Sequence, residues 1–486
     1  MTYHPFKDHV SWKMLIGGAF VPGGSGDALE IVNPATGEVL GHAPAASEAD
    51  VAAAVAAAQD AFASWRWTAP ERRGEMLYRI AERIREHHDE LVDLETWENG
   101  KPRAQSGRDV TNAERTFRFY AGACDKFYGH SVFDGPSDMR KIVFEPYGVV
   151  AVIIPWNWPP MHTADFAALA LATGNTVVMK PAPETPLSSL RIAELAADLL
   201  PPGVLNVVSG GVDTGVQLVA HPDIDFIAFT GSDRTGEKIL AEAARRILPS
   251  MMELGGKNAS LIFPDADLDK AVQGMLRSAY FNSGQACSGS ERVLVHEKVY
   301  KAFMERFTSA VAGMVVGEGF DERSAVGPMV SKRQQEKVQA ALDRATAAGA
   351  CVPARAELPK EARFRGGYWI PPTVITEAAP DAEIMTEEVF GPVAGILPFA
   401  DEDEAVGIVN AVSYGLTSGV WTRDLGVAHR MATRLEAGVV SINRVNTGEL
   451  GLPFGGYKRS GVGRKKDFLE AMRSFSRVKA IQMSLE

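Results

Sequence analysis

Short apolar runs broken by turn residues open the chain. Between residues 14 and 44 they alternate with Gly-Gly, Asn-Pro and Thr-Gly pairs, a pattern that predicts small antiparallel strands and a leading hairpin. Ser47 followed by Asp50 has the spacing of a capping box, and the Ala- and Val-rich run after it predicts a helix. That helix opens a mainly helical stretch reaching about Tyr128. From Gly148 the rhythm changes. Residues 149–155, 176–180, 205–208 and 226–230 are apolar runs separated by helical segments, and their lengths and flanks predict buried strands of a parallel sheet. Between the second and third, Thr185 is placed to cap a helix, Pro186 to enter its first turn, and Pro201-Pro202-Gly203 to stop it. This β-α-β order predicts an α/β, doubly wound, Rossmann-like fold. A second α/β block begins near Asn258, with strands at 260–263 and 293–296 around a helix at 267–280, and runs to about Gly455. The last apolar and basic stretch, 473–483, predicts a strand, either internal or added to another subunit.

Bulk properties narrow the reading. At 486 residues the chain exceeds what one hydrophobic core supports, so two or three domains are expected. With 46% hydrophobic and 23% charged residues it is neither disordered nor fibrous. A net charge of -11 excludes a general nucleic-acid-binding surface, which must be basic. The three cysteines, Cys124, Cys287 and Cys351, make no disulfide framework and suit a reducing compartment. Residues 1–12 lack the apolar core of a signal peptide, and no apolar run reaches the ~18 residues that span a bilayer. A cytoplasmic protein without a membrane partner is therefore expected. The ten histidines are scattered and have no cysteine partners, so no metal site is expected.

Three segments carry chemistry. Cys287 lies among small and polar residues in a glycine-flanked loop, Phe281 to Gly289, which would leave its thiol accessible as a nucleophile. A lone free cysteine is more often a small buried hydrophobe, so the loop alone leaves both readings open. Glu253 precedes Gly255 and Gly256 at a strand-to-loop junction, where it is either a candidate base or a surface acid beside a turn. In Ile154-Pro155-Trp156-Asn157-Trp158-Pro159, prolines fix the backbone and Asn157 offers a rigid amide donor of the kind an oxyanion hole needs. The same loop would also serve as a packed structural turn.

Together with Lys180-Pro181-Ala182, Phe229-Thr230-Gly231-Ser232, Glu387-Glu388-Val389-Phe390-Gly391-Pro392 and Pro453-Phe454-Gly455-Gly456-Tyr457-Lys458, these segments resemble the aldehyde dehydrogenase superfamily over nearly the whole chain. The resemblance implies an oxidoreductase that turns an aldehyde into a carboxylic acid. It assigns Cys287 as nucleophile, Asn157 and the Cys287 N–H as oxyanion donors, and Glu253 as base for the hydrolytic water. It places Lys180 near an adenosine ribose, Ser232 near a pyrophosphate, Glu388 on the nicotinamide ribose with Phe390 packed nearby, and Trp156 in the lining of the cofactor cleft, and it counts Ala182 and Gly231 among the cofactor-binding residues. The implied cofactor is NAD, with NADP left open. No Gly-x-Gly-x-x-Gly fingerprint follows the first strand of this block, and the family lacks it too. Without the resemblance, these same residues would be read as a solvated lysine, a helix cap, a helix-end acid and a core phenylalanine.

The sequence also departs from the family. Many relatives carry a glutamate three residues after the lysine of the Lys-Pro motif, where this chain has Pro183 beside Glu184, which loosens the preference for NAD. Where relatives carry an aromatic residue and then a lysine, it has Asp165-Phe166. Asn112, Arg115, Met161, Asp165, Arg444 and Glu449 are the candidate lining of the aldehyde entrance, and as a polar set they suggest a polar or aromatic aldehyde, including semialdehydes, of undetermined charge. The alternatives are a coenzyme A-acylating enzyme and a non-catalytic binding protein on the same fold. By resemblance, residues 1–128 and 145–253 form a cofactor domain and 254–455 a catalytic domain. Residues 129–144 and 456–486 form a β oligomerisation arm with the C-terminal segment, in a homodimer or homotetramer.

Overall fold

A computed structural model describes residues 2–9, 11–24, 28–133, 138–445 and 448–485. Two sheets organise them. The first has five parallel strands at its centre, in the spatial order Leu205–Val207, Thr176–Lys180, Val149–Ile153, Phe226–Thr230 and Ser250–Glu253. Numbered along the chain, this is order 3-2-1-4-5, the doubly wound topology with its switch point between Val149–Ile153 and Phe226–Thr230. The hairpin Met14–Ile16 and Ala19–Val21 adds antiparallel strands at one edge, and Gly461–Val462 adds one at the other.

These strands are continuous apolar runs because both faces are covered. Val150 and Val152 enter one hydrophobic core, while Val149, Ala151 and Ile153 enter another, as the two-residue period of a strand requires. The second sheet places Thr373–Thr376, Val393–Phe399, Arg292–His296, Ala259–Ile262, Thr417–Trp421 and Val439–Ile442 in parallel, with Cys351–Arg355 antiparallel at its edge. A third, three-stranded sheet joins His130–Phe133, Asp138–Pro146 and the final strand Ser476–Ser484.

The predicted capping box is present, with Ser47 and Asp50 bonding reciprocally at the start of helix Glu48–Trp65. The predicted Thr185 cap is not. Helix Leu187–Ala196 begins beyond it, and its first N–H groups are taken by the buried Glu98 carboxylate, at 2.7 Å from Leu187 and 3.0 Å from Ser188. An anion from a distant helix serves the positive helix end, a partner that no local pattern could reveal. Thr185 instead donates to the Trp156 carbonyl. No helix among the described residues is long and apolar enough to cross a membrane.

Candidate functional site

In a doubly wound sheet, ligands lie beyond the carboxyl ends of the strands. The loop of Trp156 and Asn157 follows the first central strand, Lys180 ends the second, Gly231 and Ser232 follow the fourth, and Glu253 ends the fifth. Topology thus gathers residues that are about a hundred positions apart. The Asn157 loop is anchored from below: Lys101 Nζ, fully buried, donates 2.7 Å bonds to the Asn157 carbonyl, Glu95 and Asp109. Asn99 holds the neighbouring Trp156 carbonyl at 2.9 Å.

Cys287 sits just past an unusual turn. Asn282, Ser283 and Gly284 all have left-handed backbone, with φ of 48°, 57° and 69°. For the first two this conformation costs of order 1–3 kcal/mol each and persists only where neighbours over-determine it. They do so here. Asn282 N–H donates to Gln105, its side chain donates to the Asn157 carbonyl at 2.9 Å, and Ser283 donates to the Gly327 carbonyl. A side chain at Gly284 would collide with the Gly391 carbonyl. Beyond the cysteine, Asn258 Nδ2 grips the Cys287 and Gly289 carbonyls at 2.6 and 2.9 Å. Asn157 Nδ2 donates to the Gln285 carbonyl at 3.1 Å, which leaves its second amide hydrogen available.

The electrostatics suit a resting thiol and a poised acid. Burial pushes the Cys287 thiol up to about 12; Lys465 opposes the shift, and the Glu253 charge adds to it. Glu253 is 3% exposed, and neither of its carboxylate oxygens has a hydrogen-bond partner among the described residues. Burial pushes it up to about 8, against the pull of Lys465 and Arg464. A carboxylate of that basicity can accept a proton from water near neutral pH.

A cavity of about 320 Å³ ends at Cys287, and its wall includes Asn112, Trp158, Met161, Phe281, Phe454 and Lys465. Two of the six residues expected at the aldehyde entrance, Asn112 and Met161, therefore line it. The other four do not. Asp165 is buried 3.2 Å from Lys465 Nζ and 3.5 Å from Lys466 Nζ, because a carboxylate on the inward face of an all-buried helix needs cations. Arg444 and Glu449 pair with each other outside the wall, and Arg115 is exposed beyond it. The polar character expected from Asp165 comes instead from the lysines it holds. Lys465, Lys466, Arg108, Arg277 and His162 all went unrecognised in the sequence, although the adjacent Lys465-Lys466 pair beside the Pro453-Phe454 motif was visible there.

A larger cleft of about 1040 Å³ is lined by Ser232, Glu388 and Tyr414 among others, without Cys287. Ser232 caps helix Asp233–Arg245, accepting from Thr235 N–H. Glu388 accepts from Gly256 N–H at 2.9 Å, and a side chain at Gly255 would collide with its carboxylate. Burial and the nearby Glu291 push Glu388 up to about 7. Glu291 accepts the N–H groups of Val389 and Phe390 and pairs with the buried Lys257, fixing Phe390 at φ 57°. Trp156 meets the Phe390 ring edge to face at 5.4 Å. Lys180 donates to the Pro181 and Gly210 carbonyls, and burial lowers its ammonium to about 8, with Glu184 opposing. Of the residues expected to hold a dinucleotide, Ser232 and Glu388 line this cleft, whereas Trp156, Lys180, Ala182, Gly231 and Phe390 do not. No group of side chains among the described residues could hold a metal ion.

Comparison with known proteins agrees with this geometry. Betaine aldehyde dehydrogenase of Rhizobium leguminosarum bv. trifolii is 39% identical over 472 residues, covering 97% of this chain and 96% of that protein. The 2-hydroxymuconic semialdehyde dehydrogenase of Pseudomonas sp. strain CF600 is 39% identical over 463 residues, covering 93% and 95%. Among solved structures, an NAD+ complex of aldehyde dehydrogenase from Bacillus cereus superposes with a TM-score of 0.95 at 39% identity, covering 98% and 97%. Residues 20–481 match the aldehyde dehydrogenase family, and with relatives this similar along nearly its whole length, the chain belongs to that family.

Proposed function

We propose that this enzyme oxidises an aldehyde with a polar or aromatic substituent to its carboxylic acid by way of a thioester on Cys287, using NAD. The observation that carries the reading is the pairing of a half-buried thiol with a deeply buried Glu253 whose oxygens have no protein hydrogen-bond partner. The Cys287 sulfur, on losing its proton, bonds to the carbonyl carbon. The oxygen that gains charge meets the free amide hydrogen of Asn157 and the Cys287 N–H, which has no acceptor among the described residues. Once the carbon is oxidised to a thioester, Glu253 takes a proton from water. The water oxygen then bonds to the acyl carbon, the C–S bond breaks, and the thiol is restored.

The wide cleft fits a dinucleotide: it lies beside the start of helix Asp233–Arg245 and contains the Glu388 carboxylate. Lys180 and Ser232 would hold its adenosine and phosphate end, and Glu388, with Phe390 and Trp156, its nicotinamide end. When bound, the dinucleotide supplies the two-electron acceptor. Pro183 removes one carboxylate from the adenosine end, but Glu184 lies close enough to Lys180 to raise its pKa, and a 2′-phosphate there would meet that charge. Hence kcat/KM for NAD should exceed that for NADP, and Glu184→Gln should narrow the ratio.

The arm sheet exposes Val132, Phe133 and Val478, consistent with burial against a second copy in a dimer or tetramer, which light scattering would measure. The relatives' names span both signs of substrate charge, a quaternary ammonium in betaine aldehyde and a carboxylate in a muconic semialdehyde, so likeness alone does not fix that of this substrate. The decisive experiment is product analysis with and without coenzyme A. Free acid at equal rates in both supports hydrolysis through Glu253, whereas a strict requirement for the added thiol overturns it.

A further inference from the structure

The charges around the Cys287 cavity are unevenly compensated. Four basic side chains, Arg108, Arg277, Lys465 and Lys466, line it against one acid, Asp109. Asp109 is already committed to Lys101 at 2.7 Å. Lys465 and Lys466 are buried and share the single carboxylate of Asp165, so that cluster keeps a net positive charge. Arg108 and Arg277 are both exposed, on different helices, Arg103–Ala123 and Leu268–Tyr280. Neither guanidinium has an ion pair or hydrogen bond among the described residues. Arginines elsewhere on this surface commonly have an acid in reach, as Arg83, Arg306, Arg344 and Arg430 do. On a chain of net charge -11, two arginines without partners among the described residues, in a cavity that Cys287 also lines, are a local reversal of sign.

Trp158, Met161, Phe281 and Phe454 supply apolar wall to the same cavity. An occupant that satisfies the whole cavity has an aldehyde at one end, an apolar or aromatic spine, and an anion at the other. A planar guanidinium binds a carboxylate through two parallel N–H···O bonds, and a pair of them disfavours a cation at the same place. Resting on the reading of Cys287 as the nucleophile, we infer that the substrate is an aldehyde carrying a distal carboxylate, which Arg108 and Arg277 receive. The product is then a dicarboxylate. The reaction that supplies the substrate must be one that generates a semialdehyde, such as oxidative ring cleavage or transamination of an amino acid's terminal amine.

Three aldehydes of one shape test this: para-formylbenzoate, its methyl ester, and the para-trimethylammonio analogue. With NAD, kcat/KM for the carboxylate should exceed that for the ester at least about tenfold, with the cation last. The preference should shrink as salt rises, because exposed charges are screened. In the double variant Arg108→Gln, Arg277→Gln the ratio of carboxylate to ester should fall at least tenfold, through KM. An ester equal to or better than the carboxylate overturns the inference, and so does a preference that survives loss of both arginines. Calorimetric binding of the same three aldehydes to Cys287→Ala separates this from the catalytic proposal. If the wild type oxidised none of them, that proposal would fail, while the binding order would still decide the charge of the ligand.

Discussion

The cavity that Cys287 lines and the larger cleft that Glu388 lines are built differently. The large cleft takes Ser232 from the loop after strand Phe226–Thr230 and Glu387-Glu388-Val389 from the loop after helix Glu383–Thr386, together with residues along helix Lys332–Ala347. The smaller pocket draws single side chains from helices Arg103–Ala123, Pro159–Ala172 and Leu268–Tyr280 and from the segment near residue 465. The first joins loop motifs to one face of a single helix, whereas the second gathers positions from three helices. A site assembled from single helix positions can be altered one side chain at a time, whereas a loop motif carries turn and contact together.

Substitutions on each side can break or sharpen this contrast. The largest effect is expected at the cysteine: Cys287→Ala should lower kcat about a thousandfold or more, while NAD binding, followed by fluorescence titration, stays measurable. Unchanged turnover would rule out a covalent route. Next, Glu253→Gln should lower kcat about a hundredfold or more by slowing deacylation and leaving a thioester detectable by mass spectrometry. Because burial raises Glu253 to about 8, the base is mostly protonated at neutral pH, so wild-type kcat should rise with pH through that value. A pH profile identical in wild type and Glu253→Gln would remove Glu253 as the base.

Lys101→Met tests the support beneath the Asn157 loop. It strands Glu95 and Asp109 in the interior, each bound at 2.7 Å by Lys101, and should cost about 3–5 kcal/mol, read as a lower thermal midpoint together with reduced kcat. Loss of stability without loss of kcat in the remaining folded enzyme would detach Lys101 from the Asn157 loop. The smallest effect is expected at Ser232→Ala, where loss of a helix cap costs of order 1 kcal/mol and should raise KM for NAD a few-fold, with aldehyde KM unchanged. An equal change in both constants would indicate that the two cavities are not separable.

Strand positions were legible because residues buried on both faces must be apolar throughout: the predicted 176–180 and 226–230 coincide with Thr176–Lys180 and Phe226–Thr230. The local capping box at Ser47 was legible for the same kind of reason, since both partners lie within one turn. Glu98 as the cap of a helix 89 residues further on was not, because its bond to Leu187 exists only once two helices pack. Asp165 was noticed as a departure and placed in the wrong role. Its helix is buried all round, so no polar face marked which way the carboxylate points.

The sequence by itself determined the family, because the motifs around Cys287, Glu253 and Asn157 recur together with those of the nucleotide block along nearly the whole chain. It also determined the doubly wound order, since runs of apolar residues alternating with helices admit few other layer arrangements. Only the tertiary structure decided the sign of charge that the Cys287 cavity presents. A charge counts there according to whether a partner from elsewhere in the chain neutralises it, and for Arg108, Arg277, Lys465 and Lys466 those partners, or their absence, lie hundreds of residues from one another in sequence.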